Sequence, residues 1–283
     1  MKLGKINGRS VLISDSTALD IETASAGKFS SSTRAVLEDW DSFKAWGTTS
    51  DFSQAVPFSP KDLEAPVDEP RQVFAIGLNY KDHADEASLP YPEHLVVFTK
   101  FASCLGSPNA TVVLPSNDVD YETEMVIVIG QTVHNVSSED AWKYVAGICI
   151  GQDYSERTIQ RRGPAAQFSL GKSYPNFGPY GPYIVSTDEF SNPDSLRISA
   201  VLEGADMNEP FIIQDGTTAD LIFPVSQCIA DLSKIVTLYP GDLIFTGTPA
   251  GVGLSRNLLL RPGHKLTSSL EGVGSIENNF VSA

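Results

Sequence analysis

The amino-acid sequence predicts an α+β protein that is mostly β, with a small N-terminal α/β domain ahead of a larger β-rich domain. From Arg71 onward, short apolar runs of strand length are separated by Gly and Pro residues. Two stretches with helical spacing interrupt these runs. A connector rich in Pro, Ser and Asp, residues 48–69, precedes them. Many short strands with few helices favour a rolled or barrel-like β core over a doubly wound sheet, so we predict domains over residues 1–68, linker included, and 69–283.

The N-terminal domain is predicted to contain a hairpin and one helix. The segment Gly4–Ile13 alternates apolar and polar residues around Asn7 and Gly8, which form a hairpin turn signal. The segment Thr33–Trp46 places most of its large apolar residues on one helical stripe.

The β-rich domain is predicted to hold two helices among its strands. One begins with a capping-box pattern at Ser137 and ends near Tyr144. The other follows Pro224 and spans Val225–Leu238, with its apolar residues on one face. The predicted strands are Val73–Ile76, Leu95–Thr99, Thr111–Leu114, Met125–Ile129, Gly147–Ile150, Tyr183–Val185, Ile198–Leu202 and Leu243–Phe245.

The composition argues against several classes of protein. Acidic residues outnumber basic ones by 35 to 20, and the net charge of -15 repels nucleic-acid phosphates and anionic lipids. Cys104, Cys149 and Cys228 are widely separated in apolar surroundings, which argues against a disulfide framework or a zinc knuckle. The chain lacks a signal-peptide core at its start and a run of membrane-spanning length. We therefore expect a cytoplasmic protein without nucleic-acid or membrane partners, in which an anionic substrate would need local positive charge.

Carboxylates at the start of one predicted strand indicate a metal site. Glu122 and Glu124 lie two residues apart and therefore share a face of the strand, with Asp120 in line. Like charges on one face repel unless a cation lies between them, and carboxylate oxygens suit Mg²⁺, Mn²⁺ or Ca²⁺ rather than zinc. The alternative is a solvated strand end.

A second group of polar residues follows the next apolar run. Asp153 lies where the run Val145–Ile150 ends, a common location for site residues. Arg157 and Gln160 would share a face with Asp153 in a helical or turn-like segment. Alternatively, Asp153 caps a short helix.

His83 and Glu86 lie three residues apart, so that in a helical turn the carboxylate could orient the imidazole as a general base acting on water. The alternative is a surface contact, and the other three histidines are interpreted as structural.

Two lysines and one loop complete the candidates. Lys100, at the end of a predicted buried strand, and Lys172, in a Gly-rich segment, could bind a substrate carboxylate or stabilise an enolate, or could simply be surface lysines. The small-residue loop Thr246–Gly253, which includes Thr248, could expose N–H and hydroxyl groups to anions, or could be a plain turn.

Taken in order, these segments resemble the fumarylacetoacetate hydrolase family, especially its shorter members that act on acylpyruvates, oxaloacetate or diketo sugar acids. The resemblance covers residues 73–283. After Gln160, where several relatives have an aromatic residue, this chain has Arg161-Arg162. The segments that carry the resemblance to the family are Gly77-Leu78-Asn79-Tyr80 with His83 and Glu86, Asp120-Tyr121-Glu122-Thr123-Glu124, Gln152-Asp153 with Arg157 and Gln160, Gly171-Lys172-Ser173, Gly181-Pro182, Gln214-Asp215-Gly216 and Thr246-Gly247-Thr248-Pro249.

The resemblance implies a β-roll catalytic domain in a homodimer, with one Mg²⁺ or Mn²⁺ per subunit. It implies Glu122, Glu124 and Asp153 as metal ligands, and a lid carrying His83 and Glu86. It also implies substrate contacts from residues at five positions: Lys100, Arg157, Gln160, Lys172 and Thr248.

For such a site we favour hydrolysis of the C3–C4 bond of a 2,4-dioxo acid, with release of pyruvate. In that hypothesis His83, oriented by Glu86, activates water, and Lys172 stabilises the developing enolate beside the metal. Decarboxylation of oxaloacetate and keto–enol or double-bond isomerisation remain alternatives, because they use the same metal–enolate chemistry. An alternative function of a different class is that of a non-catalytic protein that binds a metal or a ligand.

Overall fold

The computed structural model describes residues 1–67 and 69–283, and it confirms a mostly β protein. The α-helices are α1 (Ile21–Ala24), α2 (Thr33–Glu38), α3 (Trp40–Gly47), α4 (Lys81–Glu86), α5 (Arg157–Gln160), α6 (Phe168–Gly171), α7 (Val225–Ile235) and α8 (Gly253–Arg256). The strands are β1 (Lys2–Ile6), β2 (Arg9–Ser14), β3 (Thr17–Asp20), β4 (Val56–Pro57), β5 (Val73–Gly77), β6 (Val96–Thr99), β7 (Leu105–Gly106), β8 (Thr111–Leu114), β9 (Val119–Asp120), β10 (Thr123–Ile129), β11 (Val145–Gln152), β12 (Ser155–Glu156), β13 (Gly178–Ser186), β14 (Arg197–Glu203), β15 (Phe211–Thr217), β16 (Leu243–Phe245), β17 (Lys265–Leu270) and β18 (Gly274–Ser282).

These strands form two large sheets and one small one. The first sheet has eleven strands in the order β4-β3-β2-β1-β13-β11-β10-β16-β5-β6, with β7 pairing to β13. The second has five strands in the order β15-β14-β17-β18-β8, and β9 and β12 form a two-stranded ribbon. Strands β10 and β11 are buried along their whole length at the centre of the first sheet. Residues at their ends are therefore held by packing on every side.

The N-terminal segment continues the first sheet. β1 pairs antiparallel with β13, where Lys2 faces Val185 and Leu3 faces Ile184. The apolar core of this segment, which includes Phe43, also contains Phe245 of β16. Asp68, the last residue of the predicted N-terminal domain, lies outside the described residues, and the division at 68/69 stays a prediction.

The strand and hairpin predictions are confirmed. Each of the eight predicted strands overlaps an observed one, and Thr111–Leu114 and Leu243–Phe245 have the predicted bounds. The hairpin of β1 and β2 turns at Asn7 and Gly8, which both have positive φ as a two-residue hairpin turn requires.

The helix predictions are less accurate. The helix predicted over Thr33–Trp46 is two helices, because Asp39 leaves the helical region with φ -124° and ψ 47°. Aspartate favours caps and turns over helix interiors. The helix predicted at Ser137 is wrong: a 3₁₀ turn forms at Ala141–Tyr144, because the chain enters β11 directly afterwards.

The third predicted helix ends three residues early, at Ile235. Val236 is extended, and Leu238 forms a β-bridge to Val133. The tertiary pairing therefore overrides the apolar helical pattern.

Three strands near the C-terminus, β15, β17 and β18, were not predicted. In β17, alternate residues point inward, but one of them is the polar Ser268, which is buried and accepts a hydrogen bond of 2.8 Å from Gln152 Nε2. A buried serine in an inward position hides the alternation of apolar residues on which strand prediction depends.

Two further expectations concern the chain as a whole. Among the helices formed by the described residues, none combines the length and apolar character that crossing a membrane requires. Cys104, Cys149 and Cys228 are free and buried.

Candidate active site

The register of β10 and β11 brings the predicted acidic residues together. The strands are antiparallel, with Thr123 opposite Gln152 and Glu124 opposite Gly151. The start of one strand therefore lies beside the end of the other. Just beyond these ends, the Asp153 N–H donates to the Glu122 carbonyl at 2.9 Å. Two segments separated by about thirty residues in sequence thus meet at one point.

Glu122, Glu124 and Asp153 form a buried cluster of carboxylates. One oxygen from each lies within 4.8 Å of the others, and their residues are 8%, 2% and 0% exposed. Three carboxylate oxygens at this separation are the donor set that Mg²⁺ or Mn²⁺ prefers, and waters or substrate oxygens can complete its coordination. The residues present therefore fit a divalent cation of this type.

Asp120 does not lie in line with this cluster as alternation predicted. β9 ends at Asp120 and β10 begins at Thr123, so the alternation is interrupted between them. The Asp120 carboxylate instead accepts hydrogen bonds from Arg157 Nε and Nη2 at 2.9 and 2.6 Å. It also accepts from the N–H groups of Gly253 and Leu254 at 2.7 and 3.0 Å.

Two buried lysines neutralise part of the cluster. Lys172 Nζ contacts Glu122 Oε2, lies 2.7 Å from Asp153 Oδ2 and donates to Ser155 Oγ at 2.8 Å. Lys100 Nζ lies 2.5 Å from Asp153 Oδ1 and also contacts the carbonyls of Lys172 and Phe177. The three ammonium protons of each lysine therefore have acceptors.

Arg157 supplies the third cation. Its Nη2 lies 2.8 Å from Glu122 Oε1, and its Nη1 donates to Gln160 Oε1 at 2.9 Å. Arg157 begins α5, whose N-cap is Glu156; Asp153 is therefore not the cap. By occupying Gln160 Oε1, Arg157 leaves the Gln160 amide N–H groups as the donors that can reach a substrate.

With all four ionised, the buried carboxylates of Asp120, Glu122, Glu124 and Asp153 would exceed the three cations around them by one formal negative charge. Burial raises the pKa of Glu122, but Lys172 and Arg157 outweigh it and lower that pKa to about 2. Burial, Asp153 and Glu122 raise the pKa of Glu124 well above its usual value. Glu124 is therefore the carboxylate that most requires an added cation.

The cluster opens into a cavity of about 230 Å³. Its walls include seven of the ten predicted site residues and an apolar side that contains Leu78, Phe98 and Phe168. The seven are His83, Glu122, Glu124, Arg157, Gln160, Lys172 and Thr248. The other three are not part of the cavity wall, although each contacts or lies near a wall residue: Asp153 and Lys100 contact Lys172, and Glu86 lies 3.8 Å from His83.

His83 and Glu86 are neighbours on α4, but they do not form a hydrogen bond. His83 Nδ1 lies 3.8 Å from Glu86 Oε2, which is beyond hydrogen-bonding distance. This nitrogen is buried, and within residues 1–67 and 69–283 it has no hydrogen-bond partner. Glu86 Oε2 instead accepts from the Gly251 N–H at 2.9 Å. The orienting role predicted for Glu86 stays a prediction.

Thr248 belongs to a polar shell that the sequence did not reveal. Its hydroxyl donates to the Thr123 carbonyl at 2.9 Å and accepts from Gln214 Nε2 at 2.8 Å. Gln152 holds the other side of the cluster, because its Oε1 accepts from the Glu122 N–H at 3.0 Å. Thr248, Gln214 and Gln152 are buried, and their polar side-chain atoms all have hydrogen-bond partners. Their bonds to the backbone of Glu122 and Thr123 fix that segment in place.

The loop Thr246–Gly253 donates an N–H to a carboxylate of the cluster, because the Gly247 N–H donates to Glu124 Oε2 at 2.8 Å. Ser155, which accepts from Lys172, was missed by sequence reasoning. Its only sequence signal was its closeness to Asp153.

We expect Gly247→Ala to lower the free energy of unfolding by about 1–3 kcal/mol and to weaken Mn²⁺ binding. Gly247 has a φ of 97°, and an added Cβ would lie 2.8 Å from the Cβ of Asn79. The strain would displace the N–H group that binds Glu124. Urea unfolding and calorimetric Mn²⁺ titration measure the two effects.

Gly263→Ala is the matched control, because Gly263 has a φ of 87° but no atom within 4 Å of an added Cβ. Equal losses in both variants, with Mn²⁺ binding intact, would contradict a role for Gly247 in the site.

Comparison with known proteins places this geometry in a family context. A family model described as the C-terminal region of fumarylacetoacetate (FAA) hydrolase matches residues 72–281. A mitochondrial oxaloacetate tautomerase of Homo sapiens is 37% identical over 230 residues, which are 80% of this chain and 71% of that protein.

Solved structures resemble the whole chain. The structure of a Mycobacterium smegmatis protein provisionally named HpcE is 43% identical, with a TM-score of 0.92 and full coverage of both chains. A maleylpyruvate hydrolase of Sphingobium sp. SYK-6, solved with manganese(II) and pyruvate, is 25% identical, with a TM-score of 0.82 and full coverage of both chains.

Proposed function

Since the chain belongs to the fumarylacetoacetate hydrolase family, we propose that it is a Mg²⁺- or Mn²⁺-dependent keto–enol tautomerase of a short 2-oxo dicarboxylic acid of the oxaloacetate type. The observation that carries this proposal is that His83 lines the same cavity as Glu122 and Glu124 and makes no hydrogen bond to Glu86. A single imidazole beside the metal ligands suits proton transfer at carbon. The 37% identity to an oxaloacetate tautomerase supports the same choice.

The cavity volume supports a small substrate. About 230 Å³ is below the range of about 300–1,000 Å³ common for pockets that bind drug-sized ligands. A four-carbon 2-oxo diacid suits such a cavity better than an extended acyl chain does.

The ligand set Glu122, Glu124 and Asp153 would hold the cation. When bound, a divalent cation supplies Lewis-acid polarisation of a 2-oxo oxygen, which makes the protons on the adjacent C3 carbon more acidic. With a charge of +2, it would change the formal charge of the cluster from one negative to one positive. The site would then attract an anionic substrate although the chain as a whole is acidic.

Side chains of the protein supply proton transfer, stabilise the ionised ligands and bind the substrate. For enol formation, His83 removes a proton from C3, and the 2-oxygen takes up a proton from the imidazolium or from solvent water. For ketonisation, His83 delivers a proton to C3 while the 2-hydroxyl releases its proton to solvent water. Lys172 and Arg157 keep Glu122 ionised, so that it stays a metal ligand. The Gln160 amide N–H groups can donate to a substrate carboxylate.

Hydrolysis of an acylpyruvate is the second candidate, and a specific observation supports it. The maleylpyruvate hydrolase structure contains manganese(II) and pyruvate and shares the fold of this chain. Hydrolysis would require His83 to gain an orienting partner and to activate water. The 3.8 Å separation from Glu86 favours tautomerisation instead.

The test follows the loss of the ultraviolet absorbance of enol oxaloacetate, with pyruvate and carbon dioxide measured in parallel. Mg²⁺ or Mn²⁺ should accelerate enol loss in the presence of the protein, EDTA should stop it, and neither product should exceed the protein-free rate. Metal-dependent pyruvate release from acetylpyruvate or fumarylpyruvate without any tautomerase activity would replace the proposal with hydrolysis. Equal pyruvate and carbon dioxide from oxaloacetate would indicate a decarboxylase.

A further inference from the structure

The contacts of Glu86 attach helix α4 to another segment of the cavity lining. Glu86 is the last residue of α4, and the same helix carries His83. Its Oε2 accepts from the Gly251 N–H at 2.9 Å, and its Oε1 lies 3.5 Å from Arg256 Nε. Both partners belong to the segment 251–256, whose residues Val252 and Leu254 line the cavity.

Arg256 is anchored to the core of the protein on its other side. Its Nη1 donates to the carbonyl of Ile213 in β15 at 3.1 Å. Gly251, with a φ of 106°, packs against both Ile213 and Arg256. A Cβ at this position would lie 2.1 Å from the Ile213 carbonyl oxygen and 3.1 Å from Arg256 Nη2. The contact therefore runs from strand β15 through Arg256 and Glu86 to α4.

The same contacts keep Glu86 away from His83. Glu86 Oε2 is taken by a backbone N–H and Oε1 faces a guanidinium, while His83 Nδ1 remains 3.8 Å away. A carboxylate that already has a fixed cation and a fixed N–H donor gains little from an imidazole outside hydrogen-bonding distance.

We propose that Arg256 is a positioning residue: it pairs with Glu86 and holds α4 closed, so that His83 faces the carboxylate cluster. Glu86 then docks α4 through its contacts with Arg256 and Gly251. The Arg256 side chain is 40% exposed and that of Glu86 is 19% exposed. An ion pair this accessible to water is weak enough to break and re-form as substrate enters and product leaves. The inference rests on the proposed function only for its kinetic measurement.

The first experiment measures closure without any substrate. Amide hydrogen exchange of the segment 80–88 is followed by mass spectrometry in the full-length protein with excess Mg²⁺. We expect Arg256→Met to accelerate this exchange about fivefold, the upper limit for an exposed ion pair. Arg256→Lys, which keeps the charge, should recover part of the difference.

Arg197→Met is the matched control for a lost surface ion pair. Arg197 binds Asp215 at 2.8 Å with both side chains exposed, on the five-stranded sheet. It should leave exchange in the segment 80–88 at the wild-type rate. Equal exchange of this segment in Arg256→Met and Arg197→Met would overturn the proposal.

The second experiment is a double-mutant cycle on the kinetics of the enol substrate. Arg256→Met and Glu86→Gln should each raise KM about fivefold, and the double variant should show no further increase, because both changes remove one shared interaction. Independent effects, with KM raised about 25-fold in the double variant, would mean that Glu86 acts on something other than Arg256. If the wild-type protein shows no turnover, the proposed function fails, whereas the exchange experiment still decides the role of Arg256.

Discussion

Replacing Glu124 with glutamine is expected to abolish Mn²⁺ binding and, at the same time, to stabilise the metal-free protein. Glu124 is 2% exposed and touches Gly247 N–H but none of the three cations that neutralise its neighbours. Loss of a ligand should weaken Mn²⁺ binding by more than the about 10–100-fold typical of losing a residue that only supports a ligand. Removal of a buried, uncompensated carboxylate should raise the free energy of unfolding by about 1–3 kcal/mol at pH 8.

The pH dependence of this stabilisation follows from the raised pKa of Glu124. The usual value is 4.5, and burial, Asp153 and Glu122 raise it in the folded protein. The folded state then holds a proton that the unfolded state releases, so wild-type stability decreases as the pH rises above 4.5. The advantage of the glutamine variant should therefore be larger at pH 8 than at pH 5.5. Urea unfolding in EDTA at both pH values and calorimetric Mn²⁺ titration provide the measurements.

Glu122→Gln is the matched control. Glu122 has the opposite pKa shift, because Lys172 and Arg157 outweigh burial. Its loss leaves two buried cations short of a partner and should destabilise the metal-free protein, while also weakening Mn²⁺ binding. If both variants change stability in the same direction, the assignment of Glu124 as the uncompensated ligand is wrong.

His83→Asn should reduce kcat/KM for the enol substrate by about 10²–10⁴-fold, the usual contribution of a general acid–base group. The Kd for Mn²⁺ should stay within about threefold, because none of the three carboxylates depends on His83. Steady-state kinetics and Mn²⁺ titration on the same preparation separate the two properties.

His94→Asn serves as the control for a general effect of losing an imidazole. His94 is exposed and lies beside Leu95, Asp231 and Ile235 rather than in the cavity of the carboxylate cluster. This variant should retain wild-type kinetics. An active His83→Asn enzyme would remove His83 from the mechanism and leave the metal site unaffected.

Much of the carboxylate cluster could be predicted from the sequence, because its residues lie beside two predicted strands. Glu122 and Glu124 lie two residues apart where β10 begins, and Asp153 follows a buried apolar run whose antiparallel pairing with β10 is the commonest arrangement. The error at Asp120 arises because alternation holds only while the strand continues. The strand is interrupted at Tyr121 and Glu122.

The contacts between helix α4 and Arg256 could not be predicted, because they are not local. Arg256 meets Glu86 across 170 residues of sequence, and nothing in the segment Leu254-Ser255-Arg256 distinguishes it from a solvated turn. The polar shell is hidden for a related reason. Gln152, Gln214 and Ser268 occupy inward positions where apolar residues are expected, and only their partners explain them.

The lysines beside the carboxylate cluster have a consequence for how a divalent cation would be taken up. Lys100, Lys172 and Arg157 already hold the carboxylates of Asp153 and Glu122 in place through contacts within the chain, and the Gly247 N–H holds that of Glu124. We therefore expect the chain to fold without a bound ion, in contrast to small zinc domains that are unfolded without one. A preformed oxygen site of this kind discriminates weakly between Mg²⁺ and Mn²⁺. The ion that such a site carries would then be decided by the supply at the time of loading, and a protein emptied by a chelator should regain activity when either ion is returned.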